Sequence, residues 1–405
     1  IKPLCPYFVK CGGCDLQHIS QPLQLEIKRA CVKNALKKIA GLDIDVPLPI
    51  HLNDWEYLNK LSLPFAYNGR SKRVSLGFYE KRSHKVVPMK WCPLHGEWAS
   101  KLISAVTEWA NEFQISVYDE NTHKGLLRHV VARMLDSLSL TIVINGVRLP
   151  KLQELAQKLK AHFANFTIYI SENTRADNVI LGRDVKLVYG AEKKQNLGKF
   201  EAIVSPKSFL QVNSKVRDAI YDGAANALSD FDGDIVELYS GVGLLTAQLA
   251  LRLPNATITS VEIEQSASRD AAALMQSLGL PRVKCICDDA KKFISDLPKT
   301  QAVSRQDEFP DDIKNSPYYL GGILDVDVKP RALILDPPRR GCDREVLDCA
   351  VGFERIVYIS CNPQTLARDL KILSDNYEVV SVQPYDMFPQ TANVETLVVL
   401  SQKNA

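Results

Sequence analysis

The sequence predicts an α/β protein in two parts, and three observations carry that prediction. From residue 206 to 405, strand-like and helix-like runs alternate, as in a Rossmann-like, mostly parallel sheet covered by helices. Over 1–205 the same kinds of run come in mixed order, which predicts an α+β domain. The chain has 405 residues, 46% apolar and 24% charged, enough to bury more than one core.

Residues 1–20 are rich in Cys and Gly. Residues 21–41 predict a helix with Leu23, Ile27, Ala30, Val32, Leu36 and Ile39 on one face. Between 56 and 90, "LSLPFAYNG", "RVSLGFYEK" and "HKVVPMKW" predict short strands. "WASKLISAVTEWANEF" predicts a helix, "HVVARML" and "LSLTIVING" a strand pair, and "KLQELAQKLKAHFA" another helix. "TIYISEN" and "DVKLVYG" close this half as strands. The second half alternates "DIVELYS", "GLLTAQLALRL", "TITSVEI", "QSASRDAAALMQSLG", "VKCICDD", "RALILDPP" and "RIVYISCN". Its tail, "YEVVSVQPYD" and then "VETLVVLSQ", predicts two strands forming an antiparallel edge. Residues 299–330 are polar, contain Pro310 and Pro317, and predict a loop insertion.

Composition excludes several classes. No apolar run approaches a membrane span, and the opening "IKPLCPYFVK" has no secretory apolar region. The ten cysteines are therefore expected to be ligands or catalytic thiols of a cytoplasmic protein rather than a disulfide framework. The net charge of +3 permits a local basic surface and requires none. The chain opens at Ile1 without Met, so an upstream segment is expected.

Gly241 and Gly243, in "LYSGVGLLTAQLA", follow a strand and open a helix, where free N–H groups meet a ligand. The third small residue of a dinucleotide fingerprint is replaced by Thr246, which disfavours a nicotinamide cofactor. Glu262 ends the next strand, where an acid grips a ribose, or stands as an exposed strand-end carboxylate. Asp289 ends the third, either to bind an adenine amino group or to cap a helix. Asp336 to Gly341, "DPPRRG", ends the fourth strand, and Cys361 ends the fifth ahead of a helix begun by Pro363. A helix N-terminus lowers a thiol pKa, which favours Cys361 as a nucleophile over a small buried apolar residue. Cys5, Cys11 and Cys14, with Cys92 as a fourth, suit either zinc or an iron–sulfur cluster by spacing alone.

"SCNPQTLARDL", with "DPPRRG" before it and "YDMFPQTANVETLVVL" after it, resembles the S-adenosylmethionine-dependent RNA 5-methyluridine methyltransferases. "CPYFVKCGGCDLQH" resembles the iron–sulfur segment of the branch that acts on 23S ribosomal RNA, and "YLNK", "GFYEKRSHKVV", "CPL" and "GLLRHVVAR" are similar to its central domain. The resemblance covers nearly the whole chain. It implies a C-terminal class I methyltransferase domain over 206–405 and an N-terminal domain that carries a [4Fe–4S] cluster on Cys5, Cys11, Cys14 and Cys92. It implies Cys361 as the nucleophile toward uracil C6, Glu395 as the base that removes the C5 proton, and Asp336 as a hydrogen-bonding partner of the uracil edge. It implies contacts to S-adenosylmethionine from Phe209, Gln211, Tyr239, Gly241, Gly243, Glu262, Asp289 and Asp336.

Asn393 stands where the family pattern has His, Leu58 where it has Arg, and "ELYSGVG" replaces "DLFCGxG". These departures bear on which uridine is chosen, not on the nucleophile or the base. The family's small RNA-binding β-barrel is not seen ahead of Cys5, so this branch lacks it or the chain was trimmed.

The substrate implied is 23S ribosomal RNA, with no membrane and no obligate protein partner. Transfer RNA is the close alternative, a non-catalytic iron–sulfur RNA-binding protein the more distant one. A cytosine-C5 enzyme is disfavoured, because the fourth strand ends in "DPPRRG" without a cysteine. Lys60, Arg70, Lys72, Arg73, Lys81, Arg82, His84, Arg128, His129 and Arg133 are candidate backbone contacts, and Arg339 and Arg340 flank the crevice.

Overall fold

The computed structural model describes residues 1–231, 233–297 and 332–403. The insertion expected over 299–330 lies outside the described residues.

The first half forms a seven-stranded sheet in the order β3-β2-β1-β4-β5-β6-β7. Its strands are β1 Lys60–Asn68, β2 Arg73–Tyr79, β3 Val86–Pro88, β4 Leu127–Met134, β5 Leu138–Ile144, β6 Phe166–Glu172 and β7 Val185–Tyr189. All neighbours pair antiparallel except β5 and β6, which are parallel and joined through helix α3, Leu152–Lys160. Helix α2, Glu97–Glu112, packs with α3 against the sheet. Its Trp109 is fully buried and donates its indole N–H to the Lys151 carbonyl at 2.8 Å.

The second half forms another seven-stranded sheet, in the order β12-β11-β10-β13-β14-β16-β15. The strands are β10 Ile235–Leu238, β11 Ile258–Glu262, β12 Val283–Cys287, β13 Ala332–Leu335, β14 Arg355–Ser360, β15 Tyr377–Tyr385 and β16 Glu395–Gln402. A short hairpin, β8 Gln195–Asn196 with β9 Glu201–Ala202, lies between the two sheets in sequence. Strands β10 to β14 are parallel, and β16 runs antiparallel between β14 and β15, as the tail predicts. The helices are α4 Ser214–Asn226, α5 Leu244–Arg252, α6 Gln265–Ser277, α7 Ala290–Asp296, α8 Arg344–Cys349 and α9 Pro363–Leu373. The chain turns to opposite sides at β10 and β13, so the crevice for a ligand opens beyond the carboxyl ends of these strands.

Buried on both faces, β10 and β13 read as near-continuous apolar runs, "IVEL" and "ALIL". The exception is Glu237 in β10. Thr246, fully buried in α5, donates to its carboxylate at 2.6 Å. The threonine that replaces a fingerprint glycine thus satisfies a buried acid.

Helix α1, Gln21–Ala35, continues as a π-helical turn over Leu36–Ala40 and ends at Gly41 in the left-handed region. Although N-terminal in sequence, it packs on the second sheet: Val32, Ala35, Leu36 and Val46 join the core of β10, β13 and β14. Its buried face differs from the expected one. Leu23 is 52% exposed and Ile27 and Ile39 lie near the surface, whereas Gln24 and Lys28 are buried. Both polar residues have partners in the loop between β15 and β16.

Candidate active site

Parallel pairing sets the floor of the site. Leu335 of β13 is in register with Leu238 of β10 and Tyr358 of β14. The residues that leave these strands, Tyr239, Asp336 and the stretch to Cys361, therefore emerge at one edge. Antiparallel pairing brings in the last member. Ser360 is in register with Thr396, so the next position in each strand sets Cys361 level with Glu395. The structure brings Cys361, Glu395 and Asp336 together: Cys361 feels the charges of Glu395 and Asp336, and Glu395 that of Asp336.

Burial dominates the electrostatics. Glu395 is 2% exposed, and burial followed by the Asp336 charge pushes its carboxyl up to about 8. Its Oε2 has no hydrogen-bond partner among the described residues. Asp336 is pushed up to about 7 by burial and by Glu262. The Cys361 thiol is pushed up to about 11 by burial and by Glu395, with Arg339 acting the other way. This corrects the expectation of a lowered thiol pKa: Cys361 precedes Asn362, the N-cap of α9, but desolvation and a neighbouring acid outweigh the helix terminus.

Arg339 joins the two loops that carry these groups. Its guanidinium donates to Asn393 Oδ1 at 3.1 Å, and its carbonyl accepts from Asn362 Nδ2 at 3.1 Å and Thr365 Oγ1 at 3.2 Å. Asn393, the departure from the family pattern, is thus a contact between loops. Sequence reasoning missed Asp369 beneath them. Fully buried, it accepts from the Cys342 amide at 2.9 Å and from the Tyr358 hydroxyl at 2.6 Å, fixing the end of the "DPPRRG" turn. Its only sequence signal is an acid in the otherwise apolar face of α9.

On the ligand side, Gly241 and Gly243 both adopt left-handed backbone, with φ of 57° and 74°. Among the described residues a Cβ on Gly241 would meet only the Phe209 carbonyl oxygen, at 3.8 Å, so they leave space above it. Tyr239, at φ 65°, is half-buried beside Cys342. Glu262 accepts from the Gly241 amide at 2.9 Å and the Glu264 amide at 2.8 Å, bracing the turn. Asp289 caps α7 by accepting from the Lys291 and Lys292 amides at 3.0 and 3.1 Å. Its helix-cap role is the one the free chain displays. Phe209 is 60% exposed at the lip, and Gln211 is buried, with its carbonyl accepting from Asn59 Nδ2 at 3.2 Å.

Cys5, Cys11, Cys14 and Cys92 are buried and line one cavity of about 300 Å³, together with Gln17, Lys60 and His95. Among the described residues no group of three or more His, Cys, Asp or Glu is drawn together so as to hold a metal ion. Burial pushes the Cys14 thiol up to about 11 and Cys92 up to about 12, and neighbouring cysteines add to both. Gln17 Oε1 accepts from the Cys5 amide at 3.0 Å, and the Gln17 side chain lies against the Cys14 thiol and lowers its pKa in part.

The candidate RNA contacts divide in two. Arg70, Lys72, Arg73, Lys81, Arg82 and His84 are exposed. Arg128, His129, Arg133 and Lys60 are withdrawn into the structure. Arg128 donates to the Asn173 and Arg175 carbonyls, and Arg133 to Ser208 O at 2.8 Å. Burial lowers His129 to about 4 and Lys60 to about 8. Arg339 and Arg340 are exposed at the rim of the crevice. No helix among the described residues is long and apolar enough to cross a membrane.

The chain is similar to known RNA methyltransferases. An uncharacterized RNA methyltransferase of Caldanaerobacter subterraneus is 36% identical over 414 residues, covering 99% of this chain and 84% of the relative. One from Clostridium tetani is 32% identical over 413 residues, covering 99% and 83%. The crystal structure of Pyrococcus abyssi tRNA (uracil-54, C5)-methyltransferase in complex with S-adenosyl-L-homocysteine superposes with a TM-score of 0.73 at 25% identity, covering 98% of this chain and 86% of that one. Residues 131–403 match the family described as tRNA (Uracil-5-)-methyltransferase, and the chain belongs to this family of RNA uracil-5 methyltransferases.

Proposed function

We propose that this chain methylates C5 of a uridine in 23S ribosomal RNA, with S-adenosylmethionine as methyl donor. The observation that carries the reading is the meeting of Cys361, Glu395 and Asp336 beside a glycine turn with open space above it. Uracil C5 is a poor nucleophile. Addition of the Cys361 sulfur to C6 moves the C5=C6 electron pair onto C5 and the adjoining carbonyl. S-adenosylmethionine supplies the electrophilic methyl group that C5 takes up. Glu395 then removes the C5 proton, the C5–H pair restores C5=C6, and the C6–S bond breaks to return the thiolate. Asp336, held near 7, keeps a proton far enough into the neutral range to donate to the uracil edge. Glu262 has further lone pairs for ribose hydroxyls, and Phe209, Gln211, Tyr239, Gly241, Gly243 and Asp289 frame the rest of the donor site.

The reading of Cys5, Cys11, Cys14 and Cys92 as ligands of a [4Fe–4S] cluster is supported by their shared cavity of about 300 Å³. A cluster needs that room, and its iron supplies the positive charge that four buried thiolates otherwise lack. The Gln17 side chain beside the Cys14 thiol and the half-buried Lys60 ammonium suit an anionic occupant. A cluster there holds the N-terminal segment in shape; the methyl transfer itself moves no electrons through it.

A uridine stacked in a helix hides C5 and C6, so the base is taken from a loop or splayed out, with Arg339 and Arg340 at the entrance. A second reading keeps the chemistry and changes the RNA. It is favoured by the similarity to the Pyrococcus abyssi enzyme, which is named for tRNA.

The test is methyl transfer from labelled S-adenosylmethionine to unmodified 23S ribosomal RNA and to transfer RNA, with the product base mapped. Label as 5-methyluridine in ribosomal RNA is the expected result, with none from Cys361→Ala and a trapped protein–RNA adduct from Glu395→Gln. Label only in transfer RNA selects the second reading. No label in either, with no binding of the donor by calorimetry, defeats both.

A further inference from the structure

The turn that leads into Glu395 is held from the far end of the chain. Gln390 is 5% exposed and has left-handed backbone, φ 70°. Its carbonyl oxygen accepts from the Asp15 and Leu16 amides at 3.1 and 3.0 Å. Its own amide donates to Gln24 Oε1 at 3.1 Å, and Gln24 Nε2 donates to Gln390 Oε1 at 3.0 Å. These four bonds come from residues 15–24, immediately after Cys14. A non-glycine residue stays in the left-handed region only when its surroundings over-determine it.

From this turn a line of contacts runs to the site. The Asn393 amide donates to Thr391 Oγ1 at 3.2 Å, and Arg339 donates to Asn393 Oδ1 at 3.1 Å. The Arg339 charge faces both Cys361 and Glu395, and Glu395 follows Asn393 by two residues.

We propose that Gln390 is a positioning residue for the base: its two hydrogen bonds with the Gln24 carboxamide, one donated by its main-chain amide and one accepted by its side-chain oxygen, fix the turn that sets Asn393, Arg339 and Glu395. The proposal rests on the reading of Glu395 as the proton acceptor. Gln390 touches no reacting atom, so its loss should slow the last step rather than binding or methyl transfer.

Two variants test it. Gln390→Gly keeps the left-handed backbone and its main-chain bond to Gln24 but removes the bond to the side-chain oxygen; Gln24→Ala removes both bonds and leaves Gln390 in place. Each is mixed with labelled S-adenosylmethionine and unmodified RNA, quenched, and resolved under denaturing conditions to quantify methylated RNA still bonded to protein. The expected result is a rise of about tenfold in the adduct fraction, with single-turnover methyl transfer within about twofold of the parent and KM for RNA unchanged. A merely structural role would slow both steps together and weaken donor binding. That pattern, or no rise in adduct, overturns the proposal; if Gln390→Gly does not fold, Gln24→Ala alone decides. Glu395→Gln run in parallel separates the two readings. If it accumulates no adduct, the base assignment falls and takes this proposal with it. If it does and the glutamine variants do not, only the positioning link falls.

Discussion

Cys361 stands opposite Glu395 across the ends of two antiparallel strands, one step beyond the registered pair Ser360 and Thr396. A thiol and a carboxyl that act at adjacent carbons of one pyrimidine ring must share a face of the site. An antiparallel pair supplies that juxtaposition without a loop of its own. Both groups are held protonated in the free chain, Glu395 to about 8 and Cys361 to about 11.

The first prediction concerns the pH profile of activity. In the proposed reaction Cys361 and Glu395 work deprotonated and Asp336 protonated, and kcat/KM reports the free enzyme. It should therefore climb with a slope near two up to about pH 7, rise less steeply to about pH 8 as Asp336 loses the proton it donates, and level off beyond that as Glu395 finishes titrating. Steady-state methylation across that range checks it. A profile that peaks on the acid side would mean that neither group needs to lose a proton.

A second prediction separates function from stability. In the folded chain Glu395 keeps its proton up to about 8, whereas unfolded it loses it near 4.5. Between those values the folded state binds more protons, so stability is full below the lower value and is lost as pH rises toward the upper one. Asp336, raised to about 7, and Glu237, raised to about 8, act with the same sign. Each pKa unit corresponds to about 1.4 kcal/mol, though these groups share one field and do not add fully. Glu395→Gln removes one share. Thermal melts should show it more stable than the parent at about pH 8, with the excess shrinking toward about pH 5.5. An equal shift at both pH values would point to packing instead.

A third prediction concerns the anchor behind the catalytic loop. Lys28 is fully buried, pairs with Asp386, and donates to the Phe388 carbonyl at 3.0 Å. His51 Nδ1 lies 2.8 Å from the other carboxylate oxygen of Asp386. Asp386→Ala leaves a buried ammonium uncompensated and should cost about 3–5 kcal/mol in urea unfolding. Adding Lys28→Met should restore much of that loss, because the isolated charge goes with it. If the double variant is no better than the single one, desolvation of Lys28 is not the cause.

These contacts also show what was legible in the sequence. The second sheet could be read because each βαβ unit is local: alternation and strand-end polar residues lie within tens of residues. The tail could be read as an antiparallel edge, but the pairing of β16 with β14 that sets Glu395 level with Cys361 is seen only in the fold. The buried face of α1 could not be read. Leu23 and Ile27 suit an apolar stripe, yet Gln24 and Lys28 are inside because their partners, Gln390 and Asp386, lie more than 350 positions away. Periodicity carries no information about such partners. The thiol pKa was misjudged for a related reason. The helix start beyond Cys361 is local and visible, while the burial that outweighs it is built by the whole domain. The same holds for Arg128 and Arg133, basic in sequence and committed in the fold to internal carbonyls.

The last prediction contrasts two glycines of one turn. Both have positive φ, so a side chain at either costs about 1–2 kcal/mol of backbone strain. A Cβ on Gly243 would also lie 2.9 Å from Ala271 Cβ and 3.2 Å from Met275 Cε, within the packing of α5 on α6. Gly243→Ala should therefore lower the melting temperature markedly. Among the described residues a Cβ on Gly241 meets only a carbonyl oxygen at 3.8 Å, so Gly241→Ala should melt closer to the parent. That Cβ instead enters the open space above the turn, where the adenosyl group of the donor would lie. Calorimetry with S-adenosylhomocysteine should show Gly241→Ala weakened by about tenfold or more, a loss out of proportion to its melting shift. Equal losses of stability in the two variants, with donor binding intact in Gly241→Ala, would move the ligand away from this turn.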